Sequence, residues 1–313
     1  MPRSLAMEII SAIASAAQTR RHSGHKGPDV ERDLAVGEFD RLEIGAPFDV
    51  DIETGTDTNV HVIGPESALE LVRVEVQGGT LFIACDGNCD GSDVSMSITV
   101  PALRELRLAG SGDVSVDKVS GEAFDCASSG SGDLSVESVE VQSLKLSASG
   151  SGDVAIDGIQ AANVQAAIRG SGDLSADGIH AAEFKLTMCG SGDARIGKFS
   201  GEHFEAVLSG SGDAAVDTLQ VRAIHVETHG SGDILLAGGR AETARIETCG
   251  SGDISSEDAE FTEASISVRG SGDVSARVIE RADIVIMGSG DVSVTGGAKC
   301  TITSSGSGDF NCN

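Results

Sequence analysis

The chain has 313 residues, with 49 Asp+Glu against 22 Lys+Arg and a formal charge of −27. That balance argues against nucleic acid, whose phosphates need a basic face, and against charge-driven attachment to an anionic membrane. There is no Trp and no Tyr, which removes the stacking platforms for bases and thins out those for sugars. The 40% of apolar residues is enough for a core.

The chain opens on a leader, residues 1–34. Met1-Pro2-Arg3 precedes a mostly apolar stretch to Ala17, with Ala14-Ser15-Ala16 as a cleavage-like site. A signal peptide is one reading; Glu8 interrupts the run, so an amphipathic helix or a mis-set start are the others. Nothing reaches transmembrane length. Residues 18–34 are polar and read as a flexible segment.

Residues 35–109 alternate as strands around Phe39–Ile44, Phe48–Ile52 and Asn59–Ile63. Val72–Val76, Gly78-Gly79 and Leu81–Ala84 read as a hairpin. Ser95–Val100 and Leu103–Leu108 lead onward. These strands are expected to form an N-terminal β cap, or irregular first coils, over the rest of the chain.

From residue 110 the chain repeats. Gly-Ser-Gly-Asp begins at Gly110, Gly130, Gly150, Gly170, Gly190, Gly210, Gly230, Gly250, Gly270, Gly288 and Gly306, eleven copies in all. The interval is constant as far as Gly270, and the last two intervals are each shorter by two. The tetrapeptide uses 22 of the 41 Gly, so the glycine excess belongs to the repeat and is not linker. Counting its first Gly as position 0, positions 4 and 6 are apolar (Val114 and Val116, Leu134 and Val136), as are positions 14 and 16 (Phe124 and Cys126, Leu144 and Leu146). In the coil that starts at Gly270 the same count puts Ile284 and Ile286 in these two columns. Polar residues such as Lys145, Lys185, His225 and Arg245 sit at position 15. Period-two alternation marks strands with one buried face. Position 9 (Val119, Val139, Ile159, Ile179, Phe199, Leu219) reads as an apolar corner off the two strands.

Two short strands and a glycine corner make one coil of a solenoid, which buries its apolar face only against its neighbours. The predicted fold is all-β, a right-handed parallel β-helix over residues 110–313, the hand being the default for parallel connections. A repeat of this length has no room for a helix, and no leucine-rich signature appears. Beyond the last repeat little chain is left to cover the final coil, so end-to-end self-association through it is expected.

The Gly-Ser-Gly-Asp turns, preceded by the run Val36–Gly55 and by Val72–Ala84, resemble the family described as "putative auto-transporter adhesin, head GIN domain". The resemblance covers roughly residues 36–313. It implies a β-helix similar to pectin-lyase folds without their catalytic residues, and a role in cell adhesion in bacteria. It also favours export, to the periplasm or the cell surface.

The corner itself has two readings. In the first, which takes precedence, Gly at positions 0 and 2 permits a tight corner with positive φ, and the Ser and Asp side chains staple it by bonding backbone N–H groups. In the second, the stacked carboxylates of Asp113, Asp133, Asp153, Asp173, Asp193, Asp213, Asp233, Asp253, Asp273, Asp291 and Asp309 bind calcium, which takes several oxygen ligands. Like charges roughly 5 Å apart repel by about 1 kcal/mol per pair in water, so one of the two must offset the ladder. Arg169, Arg269 and His229 share position 19 and read as a solvated column that partly neutralises it.

No Ser/His/Asp pattern, no His-x-x-x-His and no phosphate loop is recognisable. His225 and His229 lie four apart, which on a strand does not make one metal site. Seven Cys leave at least one unpaired in a monomer. Cys126 falls in an inward column, Cys189 and Cys249 are three coils apart and beyond disulfide reach, and Cys85 with Cys89 is the expected local bridge. Together these features predict a non-enzymatic acidic surface that contacts a protein or glycan partner. The alternatives are a polysaccharide-modifying enzyme on the same scaffold and a calcium-stabilised structural spacer of the envelope.

Overall fold

The computed structural model describes residues 27–87 and 93–313. The readings of residues 1–17 and of Cys89 fall outside them. The chain divides into two compact units, residues 1–158 and 159–313.

In the first unit, β2 (Arg41–Ile44) lies between β6 (Thr80–Cys85) and β8 (Glu105–Leu108), parallel to both. Likewise β3 (Asp49–Thr54) lies parallel between β7 (Ser95–Val100) and β9 (Val114–Ser128). β8 continues the stack onto β9, and β9 onto β10 (Leu134–Ala148). The β2–β3 segment is therefore itself a coil, on which the repeats build. Antiparallel strands complete the other side: β5 (Val72–Gln77) pairs with β6, and β4 (Asn59–Pro65) with β7. The expected hairpin is the β5–β6 pair, turned by Gly78 and Gly79 at φ of 59° and 81°. A short helix, α1 (Glu66–Leu69), follows β4 and buries Ala68 and Leu69. The segment read as flexible to residue 34 contains a strand. Asp29–Asp33 forms β1, antiparallel to β4, because the edge of β4 offers unpaired backbone groups that any extended segment can satisfy.

After β11 (Val154–Ile168), the second unit stacks β12 (Leu174–Met188), β13 (Ala194–Leu208) and β14 (Ala214–Thr228) in parallel register, Leu174 opposite Ala194 and Ala194 opposite Ala214. β15 (Ile234–Leu236) and β16 (Gly239–Thr248) together form the next coil, followed by β17 (Ile254–Val268) and β18 (Val274–Ile286). β19 (Val292–Thr295) and β20 (Lys299–Ser304) pair with β18, and β21 (Phe310–Cys312) pairs with β19.

Each full coil is one long strand bent twice, not two short strands. Between β9 and β10 the pairing skips only positions 7 and 12, so backbone hydrogen bonding runs on through both bends. Position 9 is therefore part of the ladder, and its side chains are buried as core (Val119, Phe199 and Leu219 at 0%). Positions 4, 6, 14 and 16 are buried as expected, including Leu146 and Cys126. Position 18 is a further inward column (Ala148, Ile168, Met188, Leu208), and position 11 contributes Val141, Ala181 and Phe261. Phe184, Phe199 and Phe204 cluster with ring centroids 5.1–5.4 Å apart, the favourable spacing for aromatic pairs.

The shortened coil that starts at Gly270 loses its two residues at the bend opposite the tetrapeptide. Register shifts fall between Ser256 and Glu260 and between Phe261 and Glu263. In consequence Ala282, Ile284 and Ile286 stand opposite Ala264, Ile266 and Val268. Ile284 and Ile286 thus occupy columns two positions beyond those given by counting from Gly270. An even shift keeps them facing inward.

Candidate functional site

The Gly-Ser-Gly-Asp corner is held by backbone and carboxylate. Asp133 donates its N–H to Asp113 Oδ1 at 2.9 Å, and Asp153 donates to Asp133 Oδ1 at 2.8 Å. In the second unit the same bond links Asp193 to Asp173, Asp213 to Asp193, Asp233 to Asp213 and Asp253 to Asp233, each at 2.8 Å. It continues through Asp273 and Asp291 (2.7 Å each) to Asp309 (2.8 Å). A carboxylate accepting a backbone N–H is a charge-assisted bond, about twice as strong as a neutral one. The Asp carbonyl meanwhile accepts the position 4 N–H of the coil before, as in Val114 to Asp133 at 2.8 Å. The serines bond through the main chain, Ser131 N–H to the Gly110 carbonyl at 3.1 Å.

The two glycines serve a different purpose from the one read from sequence. None of the tetrapeptide glycines has positive φ; the positive values fall at Gly78, Gly79, Gly87, Gly121, Gly239, Gly296 and Gly297. A Cβ on Gly130 or Gly132 would lie 1.8 or 2.0 Å from the carbonyl oxygen of Gly110 or Gly112, one coil earlier, and Gly210 and Gly212 repeat this at 1.9 and 2.0 Å. Coil-to-coil backbone contact, not turn conformation, requires glycine there.

The β2–β3 segment contains a degenerate copy of the corner. Gly110 stands over Ala46, Gly112 over Phe48, and Asp113 donates to Asp49 Oδ1 at 3.1 Å. Side chains are tolerated at Ala46 and Phe48, both buried at 1% and 0%, and Phe48 fills the core. Asp49 is not marked by the repeat. Its one signal is the order Phe48-Asp49-Val50, which matches Gly112-Asp113-Val114 only in its last two residues.

The charge around Asp133 is perturbed. Burial pushes its carboxyl pKa up, the bond from the Asp153 N–H pulls it down, and the charges of Asp113 and Asp153 push it up further; the net direction is upward.

The outer faces of the coils carry ion pairs between neighbouring coils: Lys145–Asp125 at 3.3 Å, Lys185–Glu205 at 2.7 Å, Arg195–Asp217 at 2.8 Å and Arg281–Glu263 at 3.1 Å. Exposed pairs of this type contribute about 0–1 kcal/mol each. Two members of the position 19 column face glutamates. His229 Nε2 lies 3.0 Å from Glu227, and Arg269 Nη1 lies 3.6 Å from Glu247. His225 Nε2 faces Glu247 at 4.0 Å, so the two histidines have separate partners.

Two polar grooves open on the second unit. One, of about 420 Å³, is lined by Asn163, Gln165, Glu183, Lys185, His203 and Glu205, with Phe184 and Phe204 at its floor. The other, of about 910 Å³, lies along the opposite bend and includes His180, Lys198, Glu202, Arg222, Arg240 and Glu242.

Cysteine pairing includes a bridge that the sequence reading did not expect. Cys85 is disulfide-bonded. Cys300 and Cys312 form a second disulfide, with Cα atoms 6.6 Å apart. Cys126, Cys189 and Cys249 are free; burial pushes the Cys126 thiol up to about 12, which makes it an inert core residue.

The sequence matches the model of the family described as "Putative auto-transporter adhesin, head GIN domain" over residues 38–198 and again over 196–298. The chain belongs to this family. Among solved structures, a putative adhesin from Bacteroides fragilis NCTC 9343 is similar at 18% identity and a TM-score of 0.31, covering 91% of this chain and 97% of that one. A putative adhesin from Parabacteroides merdae ATCC 43184 is similar at 16% identity and a TM-score of 0.37, with the same coverages. A putative lipid binding protein from Parabacteroides distasonis ATCC 8503 is similar at 17% identity and a TM-score of 0.35, covering 92% and 97%. Likeness at these TM-scores decides nothing further. No curated protein matches the chain. Among the described residues, no helix is long and apolar enough to cross a membrane.

Proposed function

We propose that this member of the adhesin family is a non-enzymatic interaction surface that works outside the cytoplasm, at the cell surface or in the periplasm. The observation that carries the reading is the outer face of the second unit, where the groove from Asn163 to Glu205 presents amide, carboxylate, ammonium and imidazole groups in register on successive coils. Lys185 and Glu205 are already paired at 2.7 Å. A face of this kind binds through many weak polar contacts spread along the stack, and such contacts gain by multiplicity. The acidic charge of −27 favours a neutral or basic partner, protein or glycan. Bridged Cys85 and the Cys300–Cys312 disulfide support an oxidising compartment.

The Asp column has a structural part in this proposal, because the Oδ1 atoms already accept backbone N–H groups. The test is binding of the labelled full chain to neutral polysaccharides and to bacterial cells. Saturable binding, reduced in Lys185→Ala/Glu205→Ala, is expected. Release of shortened sugar products would establish the enzyme instead, and binding to nothing would leave an envelope spacer.

A further inference from the structure

On coils β14, β16 and β17 the outward side chains at positions 15, 17 and 19 form a grid of nine. His225, Arg245 and Ser265 make the first row, Glu227, Glu247 and Ser267 the second, and His229, Cys249 and Arg269 the third. Residues two apart on a strand project to the same side, and neighbouring coils are spaced by roughly 4.8 Å. This geometry places Glu227 beside His229 along one coil and Cys249 beside His229 on the next. The ligating atoms of Glu227, His229 and Cys249 all lie within 4.8 Å of one another.

We propose that Glu227, His229 and Cys249 bind one divalent transition-metal ion of the zinc class. A carboxylate oxygen, an imidazole nitrogen and a thiolate sulfur form a borderline-soft set, which suits zinc or cobalt and not calcium or magnesium, whose sites are built from oxygen. Zinc bonds of about 2.0–2.3 Å in a tetrahedron put ligand atoms roughly 3.3–3.8 Å apart. His229 Nε2 stands 3.0 Å from Glu227 Oε1 and the widest separation in the set is within 4.8 Å, so the ligand atoms need to close by no more than about 1 Å to reach that spacing. Three protein ligands leave the fourth position to water or to a group on a partner. On binding, the Cys249 thiol gives its proton to solvent, and His229 coordinates through Nε2 with its proton on Nδ1.

The rest of the grid supports the site. Glu247, 5% exposed, pairs with Arg245 and faces Arg269. Arg269 Nη1 also points at Cys249 Sγ from 3.8 Å. Two buried polar atoms of the same patch, Ser267 Oγ and His225 Nε2 (4.0 Å from Glu247), make no hydrogen bond among the described residues, which marks the patch as polar and under-satisfied. The set is not a by-product of the repeat. Positions 17 and 19 recur in every full coil, yet among the described residues only this pair of coils brings three such ligands together. On β12 and β13 the same positions hold Thr187, Cys189, Val207 and Ser209.

The test is cobalt(II) titration of the full chain after EDTA treatment, without reductant, with Cys249 verified as a free thiol by mass spectrometry. One equivalent of cobalt is expected to raise a thiolate-to-metal charge-transfer band, which zinc then abolishes. Cys249→Ser loses the band, Cys189→Ser keeps it, and the near-isosteric Glu227→Gln weakens cobalt binding by roughly 10–100-fold or more, at least the loss seen when a supporting outer-shell group is removed. The proposal is overturned if no band forms while Cys249 is free, or if the band survives Cys249→Ser.

Discussion

The corner that carries Gly-Ser-Gly-Asp and the bend on the opposite side of each coil obey different rules. At the first, coils meet backbone on backbone. A Cβ there would fall about 2 Å from a carbonyl oxygen, and the Asp side chain closes the bond that the main chain leaves open. At the second, the register slips between Ser256 and Glu260. Gly239 takes φ of 112°, and two residues are dropped without disturbing the core. Backbones touch at the tetrapeptide corner in coil after coil, which enforces its repetition, whereas the opposite bend makes so close an approach only where it carries glycine, as at Gly201 and Gly239, each 1.8 Å from a carbonyl oxygen. The two polar grooves open away from the rigid corner, on faces whose residues vary from coil to coil, whereas a third, of about 430 Å³, runs along the corner beside Asp253, Asp273, Asp291 and Phe310.

The harshest way to break this comparison is to destroy the core shared by both bends. Leu146 is 3% exposed. Leu146→Asp buries an unpaired charge and is expected to cost about 4 kcal/mol or more, seen as loss of the cooperative thermal transition. An unchanged melt would mean that the inward columns are misassigned.

The contrast between glycines sharpens it. Gly212→Ala places a methyl 2.0 Å from the Gly192 carbonyl oxygen and is expected to cost about 3 kcal/mol, as overpacking against unyielding backbone does. Gly178 has nothing within 4 Å of an added Cβ, and Gly178→Ala is expected to stabilise by about 0.4–1 kcal/mol through the unfolded chain. Equal effects in denaturant melts would erase the distinction between corner and opposite face. A smaller step removes one staple. Asp213→Ala leaves the Asp233 N–H without its acceptor and is expected to cost about 1 kcal/mol, whereas Asp213→Asn keeps an acceptor and stays near zero.

Calcium addresses the same corner. With the carboxylates engaged by N–H groups, the melt of the full chain in EDTA is expected to match that in millimolar calcium. A calcium-dependent rise, lost in Asp173→Asn/Asp193→Asn/Asp213→Asn, would make the column a metal ladder.

The coil was legible because its signals are periodic: alternation, a constant interval and a fixed corner all point to the same stack. The features that stay silent in the sequence are those that break the count. Cys300 stands at position 12 counted from Gly288, a position with no fixed character, until the two-residue deletion moves it opposite Ala282 in an inward column. Cys312, opposite Val294, then faces the same interior, and the bridge results. Asp49 was hidden because Ala46 and Phe48 replace the glycines that advertise every later corner. The Glu227–His229–Cys249 cluster spans neighbouring coils, so Cys249 lies a full coil from His229 along the sequence and beside it in space. His225 and His229, close along the sequence, separate onto different partners for the same reason.

The finest probe of the ladder is a single protonation. Burial and the charges of Asp113 and Asp153 raise the Asp133 pKa above its ordinary 3.8, and the Asp153 N–H only partly offsets them. A carboxylate with a raised folded pKa binds its proton more tightly folded than unfolded. Its ionised form therefore weakens the fold at neutral pH, and that penalty is relieved as pH falls through the raised value toward 3.8. Asp133→Asn keeps an acceptor for the Asp153 N–H and removes the charge. The variant is expected to melt slightly higher than the parent at pH 7, and the gap to close as pH drops toward 4. The side chain is largely exposed, so the difference is small and added salt narrows it. A gap that instead widens on acidification would show that the Asp133 charge is held favourably, and that the N–H bond outweighs the repulsion along the column.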